Sequence, residues 1–170
     1  GTINEINWFL YDIKKFFPEA HHKFLSYVPK DHQNNILLWF YKQLNVKQKS
    51  TNLEAAAVWA EYENSCSTLK YVERPMSGEK SLAIAKIETH YFVNNCFIED
   101  GFIMTNIKKI SHIPATIIQG RHDVICPPFN ALDLAKAWDK ASIEIIEDAG
   151  HSAFEENVAR KLINALYTFK

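Results

Sequence analysis

The first hundred residues carry apolar side chains at intervals that are typical of amphipathic helices. The predicted helices cover residues 1–17, 18–27, 31–45, 52–69 and 80–95. Pro18 favours the start of the second helix, since proline suits the first helical position. Ser50 or Thr51 can cap the fourth helix, and a loop around Pro75 separates the last two. The pattern therefore predicts a helical region over residues 1–100.

From about residue 112 onward the pattern changes to short β-rich apolar runs that alternate with helical periodicity. Strands are predicted over 115–119 and 142–146, and helices over 129–139 and 154–169. This order predicts a parallel βαβ unit with a right-handed crossover, followed by a closing helix. Because parallel sheets are buried on both faces and need several strands, two strands indicate part of a larger domain.

The balance of charges excludes several classes of partner. The 170 residues include 19 Lys and Arg and 20 Asp and Glu, which gives a formal net charge of −1. Without a basic stripe, no nucleic-acid partner is expected. No apolar run reaches about 18 residues, so no membrane span is expected. The N-terminus is amphipathic and has no signal-peptide pattern, and we expect a cytoplasmic protein.

The three cysteines, at positions 66, 96 and 126, do not form the pattern of a metal site. The chain contains no Cys-x-x-Cys motif and no Cys/His spacing that suits zinc. We therefore expect free thiols in a reducing compartment, no metal and no cofactor.

Two polar loops follow the predicted strands and contain a candidate acid–base pair. Asp123 lies in the loop after the first strand, and His151 in the loop after the second. The carboxyl ends of neighbouring parallel strands lie at one edge of a sheet, so these side chains can meet there. A carboxylate bound to an imidazole fixes its tautomer and stabilises the imidazolium, and the other nitrogen can deprotonate a serine. On spacing alone, a loop-capping carboxylate and a surface histidine are the commoner outcome.

The surroundings of these residues resemble those of proline iminopeptidases, which are α/β-hydrolases. The resemblance is carried by the segments GRHDVICP (120–127), EDAGHS (147–152), KIETHYF (86–92), AVWAEYE (57–63) and NEINWFLYD (4–12). It implies an α/β fold with a helical cap domain over residues 1–100 and the C-terminal βαβα portion of an α/β-hydrolase core over 101–170. It also implies that the activity is release of N-terminal proline from peptides.

The resemblance further implies roles for particular residues. Asp123 would be the acid and His151 the general base of a catalytic triad. The cap glutamates would bind the charged imino group of proline, although helix glutamates are usually solvated. The residues expected at the substrate site are Glu63, Glu88, Cys126 and Trp59. Cys126 would be thiol-sensitive or simply a small buried side chain, and Trp59 would belong mainly to the core while it also walls the proline pocket.

Two segments of an active hydrolase are missing from this sequence. No serine is framed as Gly-x-Ser-x-Gly, and no HGGPG-like oxyanion loop is present. We therefore expect a piece of a longer enzyme, inactive alone, whose partner is the missing N-terminal half of the core. An open sheet edge would favour a homo-oligomer of the isolated chain. The alternatives are another α/β-hydrolase, such as an esterase or epoxide hydrolase, and a non-catalytic helical interaction module.

Overall fold

The apolar spacing of the first hundred residues folds into helices, and the β-rich runs after residue 112 fold into two strands. The structure is a computed structural model that describes residues 3–71 and 77–168. These residues form two units, one with residues 3–65 and 77–100, the other with residues 66–71 and 101–168. The loop that the sequence predicts around Pro75 lies outside the described residues.

Helices build the first unit, and the five predicted helices are all present. The α-helices are α1 (Ile3–Asn7), α2 (Pro18–Ser26), α3 (Ile36–Leu44), α4 (Lys49–Ser67) and α5 (Gly78–Val93). Between them lie a π-helical turn (Trp8–Asp12) and 3-10 turns at Ile13–Lys15 and Lys30–Asn35, and a further 3-10 turn (Asn95–Phe97) follows α5. The first predicted helix therefore changes its winding twice before Pro18 starts α2. The last predicted helix ends early because Asn95 adopts a positive φ of 49°.

The predicted cap of α4 is wrong. The helix begins at Lys49, so Ser50 and Thr51 lie inside its first turn. The Ser50 hydroxyl accepts a hydrogen bond from the Gln48 side chain at 3.2 Å. Ser77, which the sequence places in a loop, caps α5 instead by accepting from the backbone N–H of Lys80 at 3.4 Å.

Aromatic side chains form the core of the first unit. The ring of Phe24 stacks between Phe40, at a centroid distance of 4.7 Å, and Tyr62, at 4.3 Å. Trp59 packs edge-on against Phe40 at 5.3 Å, and all four rings are buried. Full burial of one phenylalanine side chain contributes about 1.5–3 kcal/mol, so this cluster accounts for much of the unit's stability.

The π-helical turn is held by two polar side chains of the same core. The hydroxyl of Tyr62 donates to the Phe9 carbonyl at 2.9 Å. The buried His21 donates from Nε2 to the Leu10 carbonyl at 3.0 Å. Carbonyl groups buried in irregular helix need such partners, and these two bonds satisfy them.

The second unit contains the only strands among the described residues. Its elements are α6 (Phe102–Asn106), a 3-10 turn (Ile107–Lys109), β1 (Ala115–Gly120), α7 (Pro128–Ala137), β2 (Ala141–Ile146) and α8 (Glu156–Tyr167). β1 and β2 pair in parallel, with Ala115 opposite Ala141 and Gly120 opposite Ile146. This arrangement confirms the predicted βαβα portion with its parallel pair. The short helix α6 was not predicted.

Candidate active site

The loops that follow β1 and β2 are tied to each other by the backbone. The N–H of His122 donates to the Ala149 carbonyl at 2.9 Å. A Cβ added at Gly120 would lie 1.9 Å from the carbonyl oxygen of Gly150. Only glycine permits this approach. The close contact brings the loop of Asp123 against the loop of His151.

Asp123 is a buried carboxylate with three N–H donors. Its Oδ1 accepts from the backbone N–H of Cys126 at 2.8 Å. Its Oδ2 accepts from Gln119 Nε2 at 3.1 Å and from His151 Nδ1 at 3.0 Å. The residue is only 6% exposed, and these bonds offset the cost of removing the carboxylate from water. The contact between Asp123 and His151 that strand order predicts is therefore present.

The imidazole of His151 is held in one orientation by this contact. Because Nδ1 donates to Asp123, Nε2 is the nitrogen that can exchange a proton with another group. The hydrogen bond with Asp123 raises the pKa of His151 to about 10. A hydrogen bond with the Cys126 side chain also raises this pKa, whereas burial lowers it. His151 is therefore an imidazolium at neutral pH in this arrangement.

The residue Gln119 belongs to this site, although the sequence did not single it out. Its side-chain amide donates to Asp123 Oδ2, and also to the Cys126 carbonyl at 3.2 Å and the Gly120 carbonyl at 3.3 Å. It thus braces the loop on which the carboxylate lies. The sequence feature that could have indicated this role is an amide side chain at the end of an otherwise apolar strand.

The loop of His151 is anchored by the segment 66–71. The backbone N–H groups of His151 and Ser152 both donate to the Ser67 carbonyl, at 2.9 and 2.8 Å. The Glu155 carboxylate accepts from the N–H of Gly150 at 2.7 Å and from the N–H of Leu69 at 3.2 Å. No sequence signal pointed to Ser67, because its contribution comes from a backbone oxygen.

In the first unit the structure brings Trp59 and Glu88 together. The indole N–H of Trp59, on α4, donates to Oε2 of Glu88, on α5, at 2.7 Å. Trp59 is 1% exposed and lies within the aromatic core, whereas Glu88 is half-buried. Glu63, also half-buried, lies one turn after Trp59 on α4. Cys126 is half-buried in the second unit, and its sulfur is not part of a disulfide bond.

Residues 3–71 and 77–168 contain neither a candidate metal-binding cluster nor a helix suited to span a membrane. Within these described residues, no group of three or more His, Cys, Asp or Glu side chains lies where it could hold a metal ion. No helix in these residues combines the length and the apolar character that crossing a bilayer requires.

The chain is similar to several curated proline iminopeptidases. It is 35% identical over 171 residues to the enzyme of Xylella fastidiosa (strain Temecula1), which covers 97% of this chain and 55% of that protein. It is 37% identical over 168 residues to the Arabidopsis thaliana enzyme, with 95% and 44% covered. The Xanthomonas citri enzyme is 35% identical over 167 residues, with 95% and 53% covered.

These comparisons confirm the resemblance that the sequence motifs indicate. The chain spans about half the length of the curated relatives that it matches. No family model matches it.

Proposed function

Because the chain is homologous to about half of each of these proline iminopeptidases, we propose that it forms part of a serine peptidase that releases N-terminal proline from peptides. The observation that carries the proposal is the 3.0 Å hydrogen bond from His151 Nδ1 to Asp123 Oδ2, on loops that follow neighbouring parallel strands. The nucleophilic serine and the oxyanion donors are proposed to lie in a longer parent protein.

In this proposal Asp123 and His151 act as the orienter and the base of a triad. Asp123 fixes the tautomer in which Nε2 can accept the proton of a serine hydroxyl. His151 then returns that proton to the leaving amine, and Asp123 stabilises the imidazolium between these steps. The three N–H donors on Asp123 support the role, since they hold the carboxylate in place.

The first unit is proposed to recognise the N-terminal proline. Glu63 and Glu88 would bind its secondary ammonium group, since half-buried carboxylates favour a cationic partner. Cys126 is proposed as a further residue of the substrate site. Trp59 is enclosed in the core and would contribute to that site only through its hydrogen bond to Glu88. Among the candidate substrates of an α/β-hydrolase, an amine is the one for which these glutamates are suited.

The chain alone is proposed to be inactive. It contains no serine within Gly-x-Ser-x-Gly. Without a serine nucleophile and oxyanion donors, the pair of Asp123 and His151 has neither a covalent route nor the main source of charge stabilisation.

The test uses the protein encoded by the complete gene and a prolyl arylamide. Removing the base by His151→Ala should lower kcat by about 10²–10⁴-fold. The control His122→Ala alters an exposed histidine on the loop of Asp123 and should leave kcat unchanged. Full activity in His151→Ala would remove the proposed base. Hydrolysis of neutral esters without release of proline would assign the chain to a different kind of α/β-hydrolase.

A further inference from the structure

The indole ring of Trp59 is fixed inside the aromatic core of the first unit. Its closest ring neighbours belong to four phenylalanines, with centroids at 5.3 to 6.4 Å: Phe40, Phe9, Phe24 and Phe92. A ring packed this closely cannot turn without displacing its neighbours. Packing therefore sets the direction in which the indole N–H points.

That N–H points at a carboxylate which the proposed function uses. The distance from Trp59 Nε1 to Glu88 Oε2 is 2.7 Å, which is typical of a hydrogen bond to an ionised acceptor. A buried indole N–H needs a partner, and Glu88 supplies it from the neighbouring helix. One carboxylate oxygen bound to a rigid donor leaves the Glu88 side chain little freedom to rotate.

We propose that Trp59 is a positioning residue, which holds the carboxylate of Glu88 in the orientation that receives the secondary ammonium of an N-terminal proline. This inference rests on the proposed function. Trp59 acts through Glu88 and does not itself contact the substrate, since its side chain is enclosed in the core. A carboxylate that is ordered before the substrate arrives loses less conformational entropy on binding. The expected benefit is therefore in substrate affinity.

The kinetic test uses Trp59→Phe in the full-length protein, since phenylalanine keeps an aromatic ring but lacks the N–H. KM for a prolyl arylamide should rise by about tenfold, as loss of a hydrogen bond to a charged group predicts, while kcat changes little. The control Tyr62→Phe removes a hydroxyl bond to the Phe9 carbonyl from the same core and should leave KM unchanged.

A neutral substrate separates positioning from a general structural defect. With cyclopentanecarbonyl arylamide, which lacks the ammonium group, Trp59→Phe should behave like the unaltered enzyme. If Trp59→Phe raises KM equally for both substrates, the positioning role is overturned. The role is also overturned if KM for the prolyl substrate is the same in Trp59→Phe as in Tyr62→Phe.

A spectroscopic measurement on the 170-residue chain tests the contact apart from the activity. In a ¹⁵N-labelled sample the Trp59 indole proton should resonate downfield and move upfield in Glu88→Gln, while the indoles of Trp8, Trp39 and Trp138 stay in place. An unmoved Trp59 resonance would contradict the hydrogen bond. If the full-length protein releases no proline while this shift is seen, the proposed function fails and the contact stands.

Discussion

The first unit buries a large aromatic cluster, whereas the second unit has a smaller buried core and leaves more of its large apolar side chains exposed. Phe40 and Trp59 are almost completely buried. In the second unit the buried cluster contains Ile146, Ala149 and Val158, and Leu166 on α8 remains 70% exposed. Helices can bury an apolar face against neighbouring helices, but a parallel pair of strands needs more strands to cover both of its faces. The second unit therefore gains less of its stability from burial.

The largest expected effect is on the core of the first unit. Phe40→Ala should lower the free energy of unfolding by about 3–5 kcal/mol, because a large ring is removed from a close-packed cluster. Val158→Ala, in the smaller core of the second unit, should lower the free energy of unfolding by less. Urea titration followed by circular dichroism measures both variants. Equal losses would remove the contrast between the two units.

A smaller effect is expected where the two site loops meet. Gly120→Ala should destabilise the second unit by about 1–3 kcal/mol, because its Cβ would force the Gly150 carbonyl away. The same displacement should break the contact between Asp123 and His151. Gly78→Ala is the control in the first unit, since its Cβ would meet only the end of the Leu53 side chain, at 3.2 Å. If Gly120→Ala melts like the unaltered chain, the loops do not approach as described.

The pH dependence of stability should differ between the units because their histidines are shifted in opposite directions. Burial lowers the pKa of His21 below its usual 6.5. The hydrogen bond to Leu10 raises this pKa, while the nearby charges of Lys14 and His22 lower it further. The neutral form is thus favoured in the folded state, and its contribution is lost as the pH falls below 6.5. Thermal melts between pH 7 and 5 should show a decline that His21→Gln reduces. An identical decline in the variant would exclude His21 as its source.

The sequence predicted the elements that depend on local patterns. Pro18 starts α2, and both strands lie where β-rich runs predicted them. The meeting of Asp123 and His151 also followed from strand order, because parallel strands bring their carboxyl ends to one edge.

The sequence pattern did not predict the contacts between residues that are far apart in the chain. Ser67 holds the His151 loop through a backbone oxygen, and no residue type predicts that role. The bond between Trp59 and Glu88 depends on how two helices pack, since the residues are 29 positions apart. The cap predicted at Ser50 or Thr51 was wrong because α4 already begins at Lys49, which puts both residues inside its first turn. Sequence pattern thus located the chemical groups, while packing decided which groups support them.

The most direct test of the acid–base pair is an NMR titration of the His151 imidazole in the 170-residue chain. The hydrogen bond with Asp123 raises its pKa to about 10, so the ring should stay protonated through neutral pH and titrate near that value. Its contribution to stability should be complete below pH 6.5 and be lost as the pH rises towards 10. Asp123→Asn should lower the pKa clearly. A ring that titrates near 6.5 in both proteins would contradict the pairing of Asp123 with His151.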